Sequence, residues 1–405
     1  MRNPPNPCIL RRVNVAGRAM AGARINADIR PVATAAELRD VQRFKYDIYV
    51  AEMGRYGAIA DHENRLLLEV DDAASHIYQA RVGGKLAATM RLTWGGDTLD
   101  GRGALGARHL EQYDLAPFLE VMPMEQIVVG ERMMIDPEFR GSSLLVEMFS
   151  AFMAFVNQRR IQLVFGDCEP HLLNAYQALG YRTYTARHVN SPETGYLIPL
   201  VIVPEDMAYL RRIGSPLAPA LRDFGADARV PAGIDALLAG GAAVQSHRLA
   251  DPAQYLAGFR DAARAAGALA TGLFRGMSEA EIAVCLEQSV TIACRPGDRV
   301  LKRGNVATNM GLVLSGRFEV RDTTKDGETV VAEFGPGEVF GEIAFFLKLP
   351  RTMDVIAVGG DARIVSFSDR TIRALIESHS ETAATLLYNI SVMLCERLRK
   401  TNEKL

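Results

Sequence analysis

The chain has 405 residues, which is long for a single hydrophobic core, so we expect two or three domains. Its composition is that of a globular protein, and its 48 acidic residues nearly balance its 46 basic residues. Because a nucleic-acid-binding surface usually carries an excess of positive charge, this balance favours no nucleic-acid partner.

Three features predict a cytoplasmic protein with neither a transmembrane segment nor a metal. The first residues, Met1–Pro7, have no apolar core and do not form a signal peptide. The most apolar helix candidate, Leu144–Val156, contains Glu147 and is too short to span a bilayer. The cysteines form neither a Cys-x-x-Cys pair nor a Cys/His cluster, which indicates a reducing compartment. They are Cys8, Cys168, Cys285, Cys294 and Cys395.

The N-terminal part of the chain predicts an arm, a helix and a hairpin. Residues 1–34 are rich in Pro, Asn, Arg and Ala, and we expect a flexible arm. Apolar residues then recur at helical spacing from Ala35 to Tyr56. Further on, Gly83-Gly84 is a hairpin signal between strands at 76–81 and 85–94.

A strand, a loop and a helix are predicted next, over residues 124–156. The strand Met124–Ile135 stops at Asp136-Pro137, and Ser142 or Ser143 can cap the helix. Backbone donors at the start of that helix would face a diphosphate. A short strand, a helix and a last hairpin follow, at 161–165, 174–179, 182–187 and 196–203. This order of elements predicts an α+β layer.

Residues 35–215 resemble the GCN5-related N-acyltransferase (GNAT) superfamily, which implies a mixed sheet with flanking helices. The loop after Asp136-Pro137 stands where that superfamily holds the pyrophosphate of its acyl donor. The resemblance implies an acyl-donor site, for acyl-coenzyme A, that consists of Arg140, Gly141, Ser142, Ser143, Leu144 and Leu145.

The segment Tyr176–Tyr181 resembles the Tyr-x-x-x-Gly-aromatic helix of the same superfamily. The resemblance implies that Tyr176 protonates the leaving thiolate. A tyrosine, with an ordinary pKa of about 10, is a reasonable acid for a thiol leaving group. The alternative is a helix tyrosine that only packs on the sheet.

A narrower resemblance is to long-chain N-acyl amino acid synthases, cousins of the acyl-homoserine-lactone synthases. It is carried by Arg43–Tyr56, by the segment through Asp72 and His76, and by Tyr209–Pro216. The resemblance implies acyl carrier protein as the donor and an amino acid as the acceptor.

An amine acceptor must lose a proton, and Glu131 could act as the general base, directly or through water. The alternative for Glu131 and Arg132 is a structural ion pair or an exposed strand face. We expect His76 to be a structural strand residue and Cys168 to be a core residue.

Residues 216–270 are dominated by Ala, Gly, Pro and Leu, which favours short helices broken by Gly and Pro. We expect a helical connector. It either transmits a signal or is a passive spacer.

The region 271–405 predicts a β-roll with helices, because glycines punctuate a series of short strands. Within it, Phe340–Thr352 read as a strand end, a Gly turn, a short helix and a Pro-Arg entry into another strand. Unpaired donors at a helix start and the guanidinium of Arg351 suit a phosphate, whereas the Glu342 carboxylate suits a sugar hydroxyl. Together they indicate a small ligand with a ribose and a phosphate.

This stretch resembles the phosphate-binding cassette of the cyclic nucleotide-binding domain family, which implies cAMP or cGMP as a regulatory ligand. In that family Glu342 would bind the ribose 2′-hydroxyl and Arg351 the cyclic phosphate. Thr352 resembles a hydroxyl that favours cGMP in some members. Met353 stands where the family usually has a small residue, and Asp354 stands where it usually has Thr or Ser. The alternative is a degenerate roll that binds nothing. The cassette residues assigned to the nucleotide are Phe340, Gly341, Glu342, Ile343, Ala344, Arg351 and Thr352.

The last predicted helix carries an apolar stripe that includes Leu386, Ile390 and Leu394. Such a stripe packs in the core, covers the nucleobase, or pairs with a second subunit to form a homodimer. Since the sequence stops at Leu405 with no room for a helix-turn-helix, we expect no DNA-binding regulator.

The two resemblances together predict an N-acyltransferase that is regulated by a cyclic nucleotide and acts on an amine. One alternative is a cAMP-regulated protein lysine acetyltransferase that uses acetyl-coenzyme A. Another is a cyclic-nucleotide sensor without catalytic activity.

Overall fold

The computed structural model describes residues 24–185, 188–191, 193–224, 232–238, 244–245, 256–261, 272–286, 289–306, 309–325 and 327–403. They divide into two compact units. The first takes its residues from Met1–Asp167, Tyr176–Tyr184 and Pro199–Gly240, and the second from Cys168–Ala175, Thr185–Ile198 and Gly241–Leu405.

A seven-stranded sheet has the order β1-β2-β3-β6-β7-β9-β8, and its strands β1, β2, β3 and β6 lie wholly in the first unit. The pairs β1–β2, β2–β3, β3–β6 and β8–β9 are antiparallel, whereas β6 and β7 run parallel. A small hairpin of β4 and β5 lies outside this sheet. The strands are β1 Asp28–Pro31, β2 His76–Val82, β3 Lys85–Trp94, β4 Thr98–Leu99, β5 Arg102–Gly103, β6 Ile127–Ile135, β7 Leu163–Cys168, β8 Val189–Ser191 and β9 Gly195–Ile202.

The first helix begins at a capping box that the sequence Thr-x-x-Glu signals. The Thr34 side chain accepts a hydrogen bond from the Glu37 amide at 3.2 Å, and Glu37 accepts one from the Thr34 amide at 3.3 Å. The helix continues as a π-helix, Tyr46–Glu52, and stops before Gly54, which has a left-handed φ of 68°. The α-helices of this part are α1 Ala35–Lys45, α2 Ala107–Gln112, α3 Ala116–Leu119, α4 Leu144–Arg159, α5 Leu173–Leu179, α6 Met207–Arg212 and α7 Ile234–Leu238.

Each face of the sheet packs against different helices. On the side that we name the α2 face, Val129 and Phe165 lie in one core cluster with Tyr113, which follows α2. On the opposite side, which we name the α4 face, Gly130 lies so close to α4 that an added Cβ would be 2.9 Å from Cε1 of Phe152. A fully buried large apolar side chain contributes about 1.5–3 kcal/mol, so these contacts fix both faces firmly.

The second unit contains the β-roll. Its strands pair in the order β10-β11-β16-β13-β14, with β12 on β16 and β15 on β13. They are β10 Val244–Gln245, β11 Val290–Cys294, β12 Arg299–Leu301, β13 Asn309–Lys325, β14 Gly327–Phe334, β15 Val339–Phe340 and β16 Asp354–Ser368. The helices are α8 Glu279–Leu286, α9 Glu342–Leu347, α10 Asp369–Ser378 and α11 Ser380–Asn402.

One apolar core joins the roll to its helices. Residues of β13 and β16, such as Leu312 and Phe367, share a buried cluster with Leu386 and Ile390 of α11. The amide of Asn389 donates to the Leu273 and Arg275 carbonyls, both at 2.9 Å. The last helix therefore packs in the core, which is one of the three roles predicted for its apolar stripe.

The α+β fold class and the β-roll with helices are confirmed. Some predicted elements have different limits. Asp28–Pro31, inside the segment predicted as a flexible arm, form β1 because they pair with β2. Of the predicted strand at 182–187, Arg182 forms an isolated bridge with Val201, and residues 186–187 lie outside the described residues. Much of the predicted connector 216–270 also lies outside them. In the described part of the chain, no helix is long and apolar enough to cross a membrane.

Candidate functional site

A tight turn and a short helix place the cassette residues around one point of the second unit. Gly341 follows β15 with a φ of 75° and precedes α9. A Cβ at this position would lie 2.7 Å from both Nη1 of Arg351 and Cδ1 of Leu301, so only glycine fits. Phe340, Glu342 and Ala344 are buried, whereas Ile343 and Thr352 are exposed.

Arg351 is a buried cation that forms no ion pair with the described carboxylates. Its side chain donates to the Gly341 carbonyl, the Asn309 carbonyl and, at 3.3 Å, Oδ1 of Asn309. Burial lowers the pKa of Arg351 to about 10, and the charge of Glu342 opposes this shift only in part. Because carbonyl oxygens neutralise a buried charge only partly, the group is suited to bind an anion.

Glu342 has a partner that the sequence pattern did not reveal. Arg397 of α11 donates from Nη1 to Oε1 of Glu342 at 2.6 Å and from Nη2 to the Val339 carbonyl at 2.7 Å. The Arg397 guanidinium also lies 4.8 Å from the centre of the Phe334 ring. The last helix is thereby tied to the residue that would bind the ribose.

The cavity between the cassette and α11 is small. Its empty volume is about 170 Å³, and Val339, Glu342, Ile390, Met393, Leu394 and Arg397 line it. Pockets for small molecules usually hold about 300–1,000 Å³. This cavity is therefore smaller than an ordinary small-molecule pocket.

Asp354, the acidic residue that departs from the cassette pattern, has its own partners. It is buried, accepts a hydrogen bond from the Arg303 amide at 2.7 Å and lies 3.2 Å from Nε of Arg299. Since Arg299 offsets its charge, Asp354 opposes a bound anion less than its sequence position suggested.

In the first unit, β6 and β7 pair up to the level of two glycines. The parallel register runs from Ile127 opposite Leu163 to Gly130 opposite Gly166. Beyond that level, Arg132 adopts a left-handed φ of 54° and the register of β6 with β3 shifts. This bulge bends β6 next to its last pair with β7.

Aromatic residues surround this point on the α4 face. Tyr176 of α5 packs against Phe149, with ring centres 5.9 Å apart, and against Tyr181 at 5.4 Å. A Cβ added to Gly166 would lie 3.7 Å from Oη of Tyr181. Tyr176 is half-buried and lies in this aromatic group, so the sheet-packing interpretation and the proton-donor interpretation fit the same geometry.

Glu131 lies in a buried network of charges. Arg91 donates to its Oε2 at 2.8 Å and Arg108 to its Oε1 at 3.0 Å, and Nε2 of His109 lies 3.6 Å away. Burial would raise the pKa of Glu131, but the adjacent His109 side chain and the charges of Arg91 and Arg108 hold it well below its usual value. A carboxylate held ionised in this way is a weak base.

Arg132 is engaged by a different carboxylate. Its Nε lies 2.9 Å from Oε1 of Glu69, and Glu69 also accepts from Lys45 at 2.7 Å. The predicted alternative of structural ion pairs therefore describes the contacts of both residues, although Glu131 and Arg132 do not pair with each other.

Asp71, His109 and Glu131 bring three atoms that could hold a metal within 4.8 Å of one another. The guanidinium of Arg108 lies among them, with Nη2 at 2.7 Å from Asp71 and 2.9 Å from Nε2 of His109. This cation already occupies the position that a metal ion would take.

The predicted acyl-donor loop is tied to the rest of the chain. Both terminal nitrogens of Arg140 donate to Glu52, at 2.5 and 2.8 Å. Ser142 donates to the Phe139 carbonyl at 2.6 Å, and Ser143 donates to Glu147 at 2.5 Å. Gly141 has a left-handed φ of 78°, Leu144 is buried, and Leu145 is half-buried. The loop has the predicted strand-to-helix position, but its side chains face carboxylates and carbonyls.

Residues 291–379 match the family model of the cyclic nucleotide-binding domain. The C-terminal part of the chain is a cyclic nucleotide-binding domain. The predicted cyclic nucleotide-binding domain is thus confirmed. The match lies within the second unit and contains both Glu342 and Arg351.

Comparison with known proteins relates the N-terminal region to N-acyltransferases, as predicted. The L-ornithine N(alpha)-acyltransferase of Rhodobacter capsulatus is 28% identical over 160 residues, 38% of this chain and 60% of that protein. The acetyltransferase Pat of Mycolicibacterium smegmatis is 32% identical over 94 residues, 23% of this chain and 28% of that protein.

The CRP-like cAMP-activated global transcriptional regulator of Mycobacterium tuberculosis is 28% identical over 135 residues, which are 33% of this chain and 58% of that protein. The chain spans less than two thirds of the length of each of these relatives.

The two remaining residues considered in the sequence have structural surroundings. His76 contacts Asp97 at 2.7 Å through Nε2 and packs on Phe155 with ring centres 4.9 Å apart. Cys168 is buried at the end of β7. The ring packing of His76 and the burial of Cys168 fit the structural roles expected of them.

Proposed function

We propose that the chain is an N-acyltransferase that moves an acyl group from a thioester donor to an amine, under the control of its cyclic nucleotide-binding domain. One observation carries the proposal: the register of β6 and β7 ends at Gly130 and Gly166, with Tyr176 near the α4 face. A thioester at this point could accept hydrogen bonds from strand amides beyond the paired level. The ornithine acyltransferase relative supports an amino acid as the acceptor.

The reaction needs two proton transfers. As the amine forms a bond to the carbonyl carbon, its proton passes to a base. As the bond from that carbon to sulfur breaks, the thiolate takes a proton from Tyr176. A positioned acid or base typically accelerates such a step by 10²–10⁴-fold, roughly.

The contacts of the donor loop favour acyl carrier protein over coenzyme A. A diphosphate at the start of α4 would need Arg140, which forms a bidentate pair with Glu52, and would meet the acidic Glu147. A donor on a carrier protein presents no diphosphate of its own at this loop, so these carboxylates do not oppose it.

Regulation would follow from the cavity and the ion pair on α11. A bound cAMP or cGMP needs Glu342 and Arg351, and the contact of Arg397 with Glu342 favours the closed position of α11. The nucleotide therefore has a higher affinity for the state in which α11 has moved, which is the condition for allosteric control.

Mass spectrometry of lipid extracts from bacteria that express the chain tests the reaction. We expect N-acyl amino acids with the wild type and a loss of at least about tenfold with Tyr176→Phe, because the variant keeps the ring but lacks the acid. Tyr209→Phe is the matched control, since the Tyr209 ring packs on Arg182 at 4.1 Å and no hydrogen bond of its hydroxyl is found among the described residues. Equal products from wild type and Tyr176→Phe would contradict the role of Tyr176.

The Pat relative supports a second candidate, a protein lysine acetyltransferase that uses acetyl-coenzyme A. The same cells distinguish it. If lipid extracts of cells with and without the chain match while acetyl-lysine in the proteome rises with the chain, the acceptor is a protein. If neither changes, with or without added cAMP or cGMP, the chain is a sensor without catalytic activity.

A further inference from the structure

The residues that follow the paired glycines are both acidic. Glu131 follows Gly130 on β6, and Asp167 follows Gly166 on β7. Because side chains alternate along a strand, these two residues lie on the same face as Val129 and Phe165, which is the α2 face. Tyr113 confirms this placement, since its hydroxyl lies 2.8 Å from Oδ2 of Asp167 and 3.3 Å from Oε1 of Glu131.

The two carboxylates have different partners. Glu131 accepts from the charged groups of Arg91 and Arg108. Among the described residues, the donors to Asp167 are neutral: they are Tyr113 and, at 2.7 Å, Nε2 of Gln112, and both bonds go to Oδ2. Within the described part of the chain, Oδ1 of Asp167 has no hydrogen-bond partner, so this oxygen is able to accept a proton.

The pKa values of Asp167 and Glu131 differ in the direction that these partners predict. Burial, together with the nearby charge of Glu131, raises the pKa of Asp167, whereas the pKa of Glu131 is held well below its usual value. The charged and titratable groups that act on or are affected by Asp167 come from several elements. They are Glu131, Arg132, Tyr113, Tyr56 and Tyr184.

We propose that Asp167 is the general base that accepts the proton of the attacking amine, in place of the predicted Glu131. The inference deepens the proposed acyl transfer and rests on it. The amine nitrogen forms the bond to the carbonyl carbon and its proton goes to Oδ1 of Asp167. The bond from carbon to sulfur breaks and the thiolate takes the proton of Tyr176. Solvent then carries a proton from Asp167 back to Tyr176, so the net transfer is from nitrogen to sulfur.

Asp167 and Tyr176 lie on opposite faces of the sheet, which fits a reaction in which one group accepts the proton of the amine and the other protonates the thiolate. Asp167 lies on the α2 face, and Tyr176 belongs to the aromatic group on the α4 face. An amine that arrives from one side and a thiolate that leaves on the other therefore each meet one proton-transfer group. Tyr113 and Gln112 are positioning residues, because they fix Oδ2 and leave Oδ1 available.

Steady-state kinetics of the purified full-length chain test the proposal, with the acceptor and acyl chain that the lipid extracts identify. We expect Asp167→Asn to lower kcat by about 10²–10³-fold with little change in the KM of the acyl donor. The rise of kcat/KM with pH that Asp167 gives the wild type should disappear. Asp100→Asn, at an exposed turn after β4, is the matched control and should leave kcat unchanged.

Chemical rescue separates a base from a residue that only stabilises the fold. Added formate should restore part of the activity of Asp167→Ala, because a small carboxylate can take the vacated position, and it should not rescue Tyr176→Phe. Full activity of Asp167→Asn, or an Asp167→Ala variant that folds and does not respond to formate, overturns the role of Asp167 while acyl transfer stands. A wild type that forms no N-acyl product overturns the proposed reaction and this role with it.

Discussion

The ion pair between Arg397 and Glu342 predicts that removal of one charge strengthens nucleotide binding. By resemblance, Glu342 is the residue that binds the ribose, and Arg397 holds its Oε1 at 2.6 Å while lining a cavity of about 170 Å³. In the proposed regulation, a nucleotide displaces this contact and moves α11. In Arg397→Gln the charged competitor is absent, so we expect a higher affinity for cAMP or cGMP.

The magnitude follows from the contacts that Arg397 loses when α11 moves. A hydrogen bond to a charged group contributes about 1.5–3 kcal/mol, and a neutral one about 1 kcal/mol. The side chain of Arg397 is 32% exposed and that of Glu342 is 4% exposed, so solvent weakens the pair only in part. We therefore expect a gain of about 1.4 kcal/mol, which corresponds to an affinity about tenfold higher.

Isothermal titration calorimetry of the full-length chain with cAMP and with cGMP measures this change. The matched control is Arg399→Gln, because Arg399 lies on the same helix, pairs with Glu403 and is 66% exposed. The control removes the same charge without a contact to the cassette, and we expect no more than about a twofold change. An unchanged or lower affinity in Arg397→Gln would show that Arg397 does not compete with the nucleotide, and the reasoning would fail.

Two further predictions concern stability. The charge of Arg132, with that of Lys45 nearby, outweighs the effect of burial and lowers the pKa of Glu69 from 4.5 to about 2. Glu69 should therefore contribute about 3 kcal/mol to the free energy of unfolding above pH 4.5, and this contribution should be lost as the pH falls towards 2. Urea unfolding at pH 7 and pH 3 measures it: the free energy of unfolding should depend less on pH in Glu69→Gln than in the wild type. Gly341→Ala should lower the midpoint of thermal unfolding and weaken nucleotide binding at least about tenfold by calorimetry, because its Cβ would displace Arg351; normal binding would contradict this.

The sequence predicted the local structure of the cassette because its residues are close together in the chain. The Gly turn, the short helix and the Pro-Arg entry are local features, and the positive φ of Gly341 is the reason that the pattern is readable. Arg397 lies 55 residues after Glu342, and only the packing of α11 brings the two together. A contact of this kind leaves no signal in one sequence.

In the first unit, contacts between residues that are far apart in the sequence determine even more of the candidate site. Tyr176 and the strand that contains Glu131 were found from local patterns. The partners of Glu131 come from β3 and α2, up to 40 residues away, and they decide that its pKa falls. The sequence did not point to Asp167, the base that we propose, because a single Asp after a buried strand is common. The available signal was the alternation of both strands, which puts residues 131 and 167 on one face once the parallel register is known.

The buried arginines of the two units differ in how their charges are balanced. Arg91 is 1% exposed and is matched by Asp72 at 3.1 Å and Glu131 at 2.8 Å, so its charge is balanced within the chain. Arg351 is 5% exposed, and in the described part of the chain its hydrogen bonds go to carbonyl oxygens and an amide oxygen, while the nearby charge of Glu342 balances it only in part. A buried charge without a counter-charge costs several kcal/mol, roughly. If Arg351 binds a cyclic phosphate, as the resemblance implies, the ligand supplies negative charge, offsets this cost and stabilises the fold at that residue.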